Sequence, residues 1–123
     1  LELAKLPGGL RSRFGPMRIF DTTSQDWCEE NRGSSWCNTQ EAAFLLHALQ
    51  IFFAASNPSD KLEVGIITPY RAQVKVFEEM LCSGTNKWLR AHAKVSTVDG
   101  FQGKERHIIA ISTVRTGQSI GFL

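Results

Sequence analysis

From Asn38 onward, apolar positions fall first into a helical and then into a strand-like rhythm. Ala42, Leu45, Leu46, Leu49, Phe52 and Phe53 recur at three- and four-residue spacing. This predicts a helix to about Ala55 with its apolar stripe on a sheet. Asn38 is a good N-cap, and Glu41 follows three residues later, the spacing of a capping box with Asn in place of Ser or Thr. Asn57-Pro58-Ser59-Asp60 ends that helix. Val64-Gly65-Ile66-Ile67 is an unbroken apolar run, the pattern of a strand covered on both faces in a parallel sheet. Thr68-Pro69 stops it. Tyr70–Leu81 predicts a second helix, with Val74, Phe77, Met80 and Leu81 on one side. Ser83–Asn86 breaks that helix, and Lys87–His92 is ambiguous. Lys94–Val98 predicts a strand, Asp99–Gly103 a turn, and His107–Val114 the strongest strand of the chain.

Ahead of this region, Pro7, Gly8, Gly9, Gly15 and Pro16 make residues 1–16 a loop-like lead-in. Met17–Phe20 predicts a short strand. Asp21–Ser35 is polar and predicts a surface loop, from which Trp27 and Trp36 fold back onto the body. The whole order is that of an α/β domain with a mostly parallel sheet. Ligands bind such sheets outside the carboxyl ends of the strands. The loops after Ile67 and Thr97 are therefore the places to look for function.

Composition narrows the picture only a little. At 123 residues and 42% hydrophobic, the chain suits one globular domain with a modest core. A net charge of +2 does not by itself argue for nucleic acid. Cys28, Cys37 and Cys82 form no CxxC pair, so neither a disulfide framework nor a zinc site is expected. His47, His92 and His107 have no partner at metal spacing, and Cys82 at a helix end suggests packing. No apolar run approaches the ~20 residues of a membrane span, and Leu1–Leu6 is not a signal peptide because it carries Glu2 and Lys5. An intracellular protein, nuclear or cytoplasmic, without membrane or metal contacts is the expectation.

Two loops carry candidate chemistry. Thr97-Val98-Asp99-Gly100-Phe101-Gln102-Gly103-Lys104-Glu105 follows a predicted strand. Its glycines let backbone N–H groups approach an anion, and its Glu can accept from sugar hydroxyls. A solvated turn between strands would have the same composition. Thr68-Pro69-Tyr70-Arg71-Ala72-Gln73 joins a buried strand to a helix. Thr68 and free N–H groups at the helix start would suit a phosphate, with Arg71 and Gln73 adding contacts. Equally, Thr68 could be the N-cap, with Pro69 at the first helical position.

Val64–Gln73 resembles the strand-and-helix opening of helicases related to senataxin and the nonsense-mediated-decay helicase, and Val95–Glu105 resembles their fifth helicase motif. Ile108–Val114, Arg115 and Ile120-Gly121-Phe122-Leu123 fit as well. Phe14-Gly15-Pro16-Met17, Ser34, Asn38, Glu41 and Ala42 match more loosely. The resemblance implies the second RecA-like domain of a superfamily 1 helicase, α/β with a mostly parallel sheet flanked by helices. It would clamp ATP with Mg2+ against a first RecA-like domain and walk along single-stranded RNA or DNA. Gly103 would lie near the terminal phosphate and Glu105 on the ribose, with Gln102 and Lys104 at the same interface. Thr97 and Asp99 would face nucleic acid, and Thr68 and Pro69 would touch the strand's phosphates.

The departures from that pattern matter. The chain has no GxxxxGK[ST] phosphate loop and no acidic metal-binding pair; the family's adenine-stacking Tyr-Arg pair would precede Leu1, and its sixth motif with the arginine would follow Leu123. It begins without Met and is read as a partial domain over residues 1–123, truncated before the last motif. The Mg2+ ligands are then expected in the missing first domain, and the chain alone is expected not to hydrolyse ATP. Two rival expectations are a non-catalytic RecA-like binding or scaffolding module, and a nucleotide-binding α/β domain of another class. The latter lacks a GxGxxG after a strand.

Overall fold

The computed structural model describes residues 17–22, 25–54, 62–84 and 87–115. The lead-in over 1–16, the Asn57–Asp60 helix stop and Ile120–Leu123 lie outside the described residues. In chain order the elements are β1 (Glu30–Arg32), β2 (Ser35–Cys37), α1 (Thr39–Ala54), β3 (Val64–Thr68), α2 (Arg71–Ser83), α3 (Lys87–His92), β4 (Ala93–Thr97), α4 (Val98–Phe101) and β5 (Ile108–Ile111).

The main sheet has the order β4-β3-β5, and both pairings are parallel. Central β3 is buried along its whole length, as its unbroken apolar run requires. Val64 and Ile66 join Ile108 and Ala110 in a core with Leu46, Leu49 and Phe53 of α1 and Val76 and Phe77 of α2. On edge strand β5 burial alternates, leaving Ile109 and Ile111 exposed. This parallel sheet flanked by helices is the expected α/β, RecA-like arrangement.

Four local expectations change. The polar stretch after Asp21 is not all loop: β1 and β2 pair as an antiparallel hairpin, turned at Gly33 with φ +69°. Met17–Phe20 forms no strand; it is exposed and borders an apolar groove whose other walls are α1 and β5. A strand requires a partner for its ladder, and here Phe20 instead packs edge-on against Phe44 at 5.2 Å. The ambiguous Lys87–His92 is helix α3, where Trp88 packs on Phe53 at 4.4 Å and stacks on His92 at 4.3 Å. Cys82 is exposed, so it does not pack.

Candidate functional site

Parallel register places Thr68, the last residue of β3, beside Thr97, the last of β4. The Ser112 N–H donates to Ile67 O at 2.9 Å, so the chain leaving β5 joins the same edge. Three strand ends therefore open together at the carboxyl side of the sheet.

At the first of these ends, Thr97 caps the short helix α4: its Oγ1 accepts from the Gly100 N–H at 3.2 Å. The hydroxyl proton of Thr97 is not used by that bond. Helix α4 folds back over the sheet at Gly65, where a Cβ would stand 3.0 Å from Phe101 and 3.2 Å from Arg106. A side chain at this position of β3 would press Phe101 and Arg106 away by a few tenths of an ångström. Two backbone bonds close the turn, Gln102 N–H to Asp99 O at 3.3 Å and Lys104 N–H to Phe101 O at 3.0 Å. Gly103 sits between them at φ +75°, a left-handed conformation that favours glycine. A Cβ there would meet nothing within 4 Å. Asp99, Gln102, Gly103, Lys104 and Glu105 are all exposed. The open Gly103 is followed by an exposed cation, Lys104, and an exposed carboxyl group, Glu105. Among the described residues, no three His, Cys, Asp or Glu side chains are grouped to hold a metal ion.

The Thr68 end is built differently. Thr68 is fully buried, and its Oγ1 has no hydrogen-bond partner among the described residues. Such a hydroxyl forgoes on the order of 1–3 kcal/mol. Pro69 is half-buried. Thr68 is not the helix cap; Tyr70 occupies that position without a side-chain cap bond. The helix starts later because Thr68 is still held in the ladder opposite Thr97. Two early N–H groups of α2 are already taken: Ala72 N–H donates to Ser35 Oγ of the hairpin at 3.0 Å and Gln73 N–H to Tyr70 O at 3.1 Å. Arg71 is exposed, whereas Gln73 is fully buried.

Gln73 belongs to a buried polar network that residue patterning does not reveal. Its side-chain amide pairs with both backbone groups of Asn38, accepting from the N–H at 2.9 Å and donating to the carbonyl at 3.0 Å. It also donates to Ser112 Oγ at 3.1 Å. Asn38 Oδ1 accepts from Glu41 N–H at 3.0 Å, which is half of the expected capping box. The other half is absent. Glu41 Oε1 instead accepts from Ser112 Oγ at 2.5 Å and from Val114 N–H at 2.8 Å. Asn38 Nδ2 donates to Val114 O at 3.2 Å. The starts of α1 and α2 and the end of β5 are thus tied together beneath the strand ends. The one sequence signal was the placement of polar Asn38, Glu41, Gln73 and Ser112 beside apolar runs.

The remaining singled-out residues have structural surroundings. Trp27 leans on Phe44 at 5.6 Å, and Trp36 lies under the Arg115 guanidinium, whose carbon is 4.6 Å from the ring centroid. His107 Nδ1 accepts from Glu63 N–H at 3.0 Å, and His47 is exposed. Glu78 and Glu79 are solvated. Cys37 is buried, and loss of solvent pushes its thiol above the ordinary value of 9.0, with Arg32 opposing the shift and Glu30 adding to it. No described helix is long and apolar enough to cross a membrane.

Comparison with known proteins places this arrangement in a family. The model of an AAA domain matches residues 5–123, and the chain belongs to that AAA domain family. It is 35% identical over 117 residues to a probable helicase of Dictyostelium discoideum, an alignment covering 89% of this chain and 11% of that protein. It is 30% identical over 126 residues to helicase SEN1 of Saccharomyces cerevisiae, covering 98% of this chain and 6% of that one. A regulator of nonsense transcripts 1 homolog of Neurospora crassa is 38% identical over 96 residues, covering 74% and 8%. The chain thus spans a small part of the helicases it resembles.

Proposed function

We propose that the chain is part of an ATP-dependent helicase or translocase, in the role of a second RecA-like domain. The observation that carries this reading is the Thr97–Glu105 turn. One end offers an uncommitted hydroxyl proton on Thr97; the other offers an open, left-handed Gly103 between exposed side chains. A short, braced segment of this kind can bias nucleotide binding and strand binding together. The helicase names of the relatives support the same reading.

In this proposal Gly103 approaches the terminal phosphate of ATP, Glu105 accepts from the ribose hydroxyls, and Gln102 and Lys104 flank them. Bound nucleotide supplies the phosphoanhydride, and the Mg2+ ligands belong to a first RecA-like domain of the same protein. Thr97 donates to a phosphate of single-stranded RNA or DNA. Asp99 lies beside it on the strand side. Thr68 and Pro69 complete the strand side. Because Thr68 is covered, its contact requires the Thr68–Tyr70 loop to open, whereas Thr97 requires no such opening. The contacts are to backbone and independent of base sequence. A nuclear or cytoplasmic setting follows from such a substrate.

In the full-length protein, Glu105→Ala is expected to weaken nucleotide binding with the fold intact by circular dichroism. Thr97→Ala is expected to weaken single-strand affinity, measured at one fixed salt concentration. Unchanged nucleotide affinity in Glu105→Ala would count against the role given to Glu105. ATP turnover by the 123-residue chain alone would contradict its role as half of a site.

A further inference from the structure

The chain does not run straight out of β5. Arg115 N–H donates to Thr113 O at 2.7 Å, closing a three-residue turn around Val114, and Val114 stands at φ 70°. This is the rare, left-handed form of the γ-turn. A β-branched residue there is a genuine outlier, of the kind that clusters at functional sites. The turn is held from both sides of its central residue. Glu41 accepts from Val114 N–H and Asn38 donates to Val114 O, through side chains that are themselves buried.

The turn has a directional consequence. It swings Arg115 back so that its guanidinium carbon lies 4.6 Å from the centroid of the Trp36 ring. Both residues are half-buried, so both reach the surface. The hairpin carrying Trp36 is itself fastened to this edge, through Ser35 Oγ on Ala72 N–H. A planar cation and an indole are thereby fixed together at the sheet edge that also carries Thr68 and Thr97. Guanidinium planes and aromatic rings are the surfaces on which unpaired bases stack.

We infer that Trp36 and Arg115 together form a nucleobase-stacking platform for single-stranded nucleic acid, positioned by Glu41 and Asn38 through the Val114 turn. This rests on the nucleic-acid reading above and adds a contact to bases that the backbone contacts do not provide. The test compares a fluorescently labelled oligothymidylate with an abasic oligonucleotide of equal length, at one fixed salt concentration. The protein is expected to bind the base-bearing strand about 10-fold more tightly. Trp36→Ala and Arg115→Lys, the latter keeping the charge, are expected to bring that ratio towards one while abasic affinity stays within about twofold. Circular dichroism reports whether each variant is folded. Equal binding of both strands by the unmodified protein, or a folded Arg115→Lys that keeps the full ratio, overturns the platform and leaves the backbone reading standing. Absence of binding to either strand overturns both.

Discussion

Two polar clusters lie along one edge of the sheet, and they differ in what satisfies them. The network of Asn38, Glu41, Gln73 and Ser112 is buried and bonded internally. The Gln102–Glu105 turn has similar side chains, Gln, Lys and Glu, facing water. Residue type does not separate a cluster that stabilises the fold from one that offers itself to a ligand; solvent access does. A buried acceptor must find its donors within the chain. An exposed one is satisfied by water until a ligand displaces it. The contrast also explains how the exposed turn can be open yet placed: two backbone bonds close it, Phe101 packs over Gly65 and Thr97 caps α4, with no bonds among its own polar side chains.

The sharpest way to break this contrast is Glu41→Ala. It leaves the Ser112 hydroxyl proton and the Val114 N–H without their shared acceptor. The expected loss is about 3 kcal/mol or more, by urea denaturation. A loss below about 1 kcal/mol would mean that the network does not hold the strand ends.

Next in size is a reversal at Val114. Both Val114→Gly and Val114→Ala lose the buried isopropyl group, but only glycine relieves the left-handed φ. Val114→Gly is expected to be at least as stable as Val114→Ala, by up to about 1 kcal/mol. Alanine proving clearly the more stable of the two would deny the strain assigned to this turn.

The exposed cluster should respond the opposite way. Glu105→Ala is expected to shift stability by no more than about 0.5 kcal/mol, while nucleotide affinity falls in the full-length protein. A large stability loss would place Glu105 with the buried set.

The smallest effect concerns Cys37. Burial raises its thiol above the ordinary 9.0, so the folded state disfavours the thiolate. Its contribution to stability is full below the unfolded thiol's pKa and declines as pH rises above it towards the folded value. Comparing unfolding of the protein and Cys37→Ala on either side of pH 9.0 isolates that decline. In native protein, exposed Cys28 and Cys82 should alkylate well before Cys37.

Much of the local structure was legible in the chain. Three- and four-residue spacing from Ala42 to Phe53 was enough for α1, because a helix buries one stripe whatever covers it. The run Val64–Ile67 was enough for a doubly covered strand. Thr97–Glu105 stood out as a turn because glycine and polar residues punctuate locally. The hairpin of β1 and β2 did not stand out: Glu30–Arg32 is exposed throughout and carries no apolar alternation. Met17–Phe20 misled in the other direction, since apolar residues alone do not supply a ladder partner.

By itself, the sequence determined the two long helices, the buried run of β3, the capping role of Asn38 Oδ1, and the turn that carries the candidate nucleotide wall. These depend on neighbours within a few residues. The tertiary structure alone decided what the polar groups do. It turned the Glu41 carboxyl from its own helix start to Val114, gave Gln73 to Asn38, tied the Ala72 N–H to Ser35, and left Thr68 buried and Thr97 available. A hydrogen bond forms with whatever donor arrives within about 3 Å, and partners 35 to 73 residues apart meet only after the sheet and helices have packed.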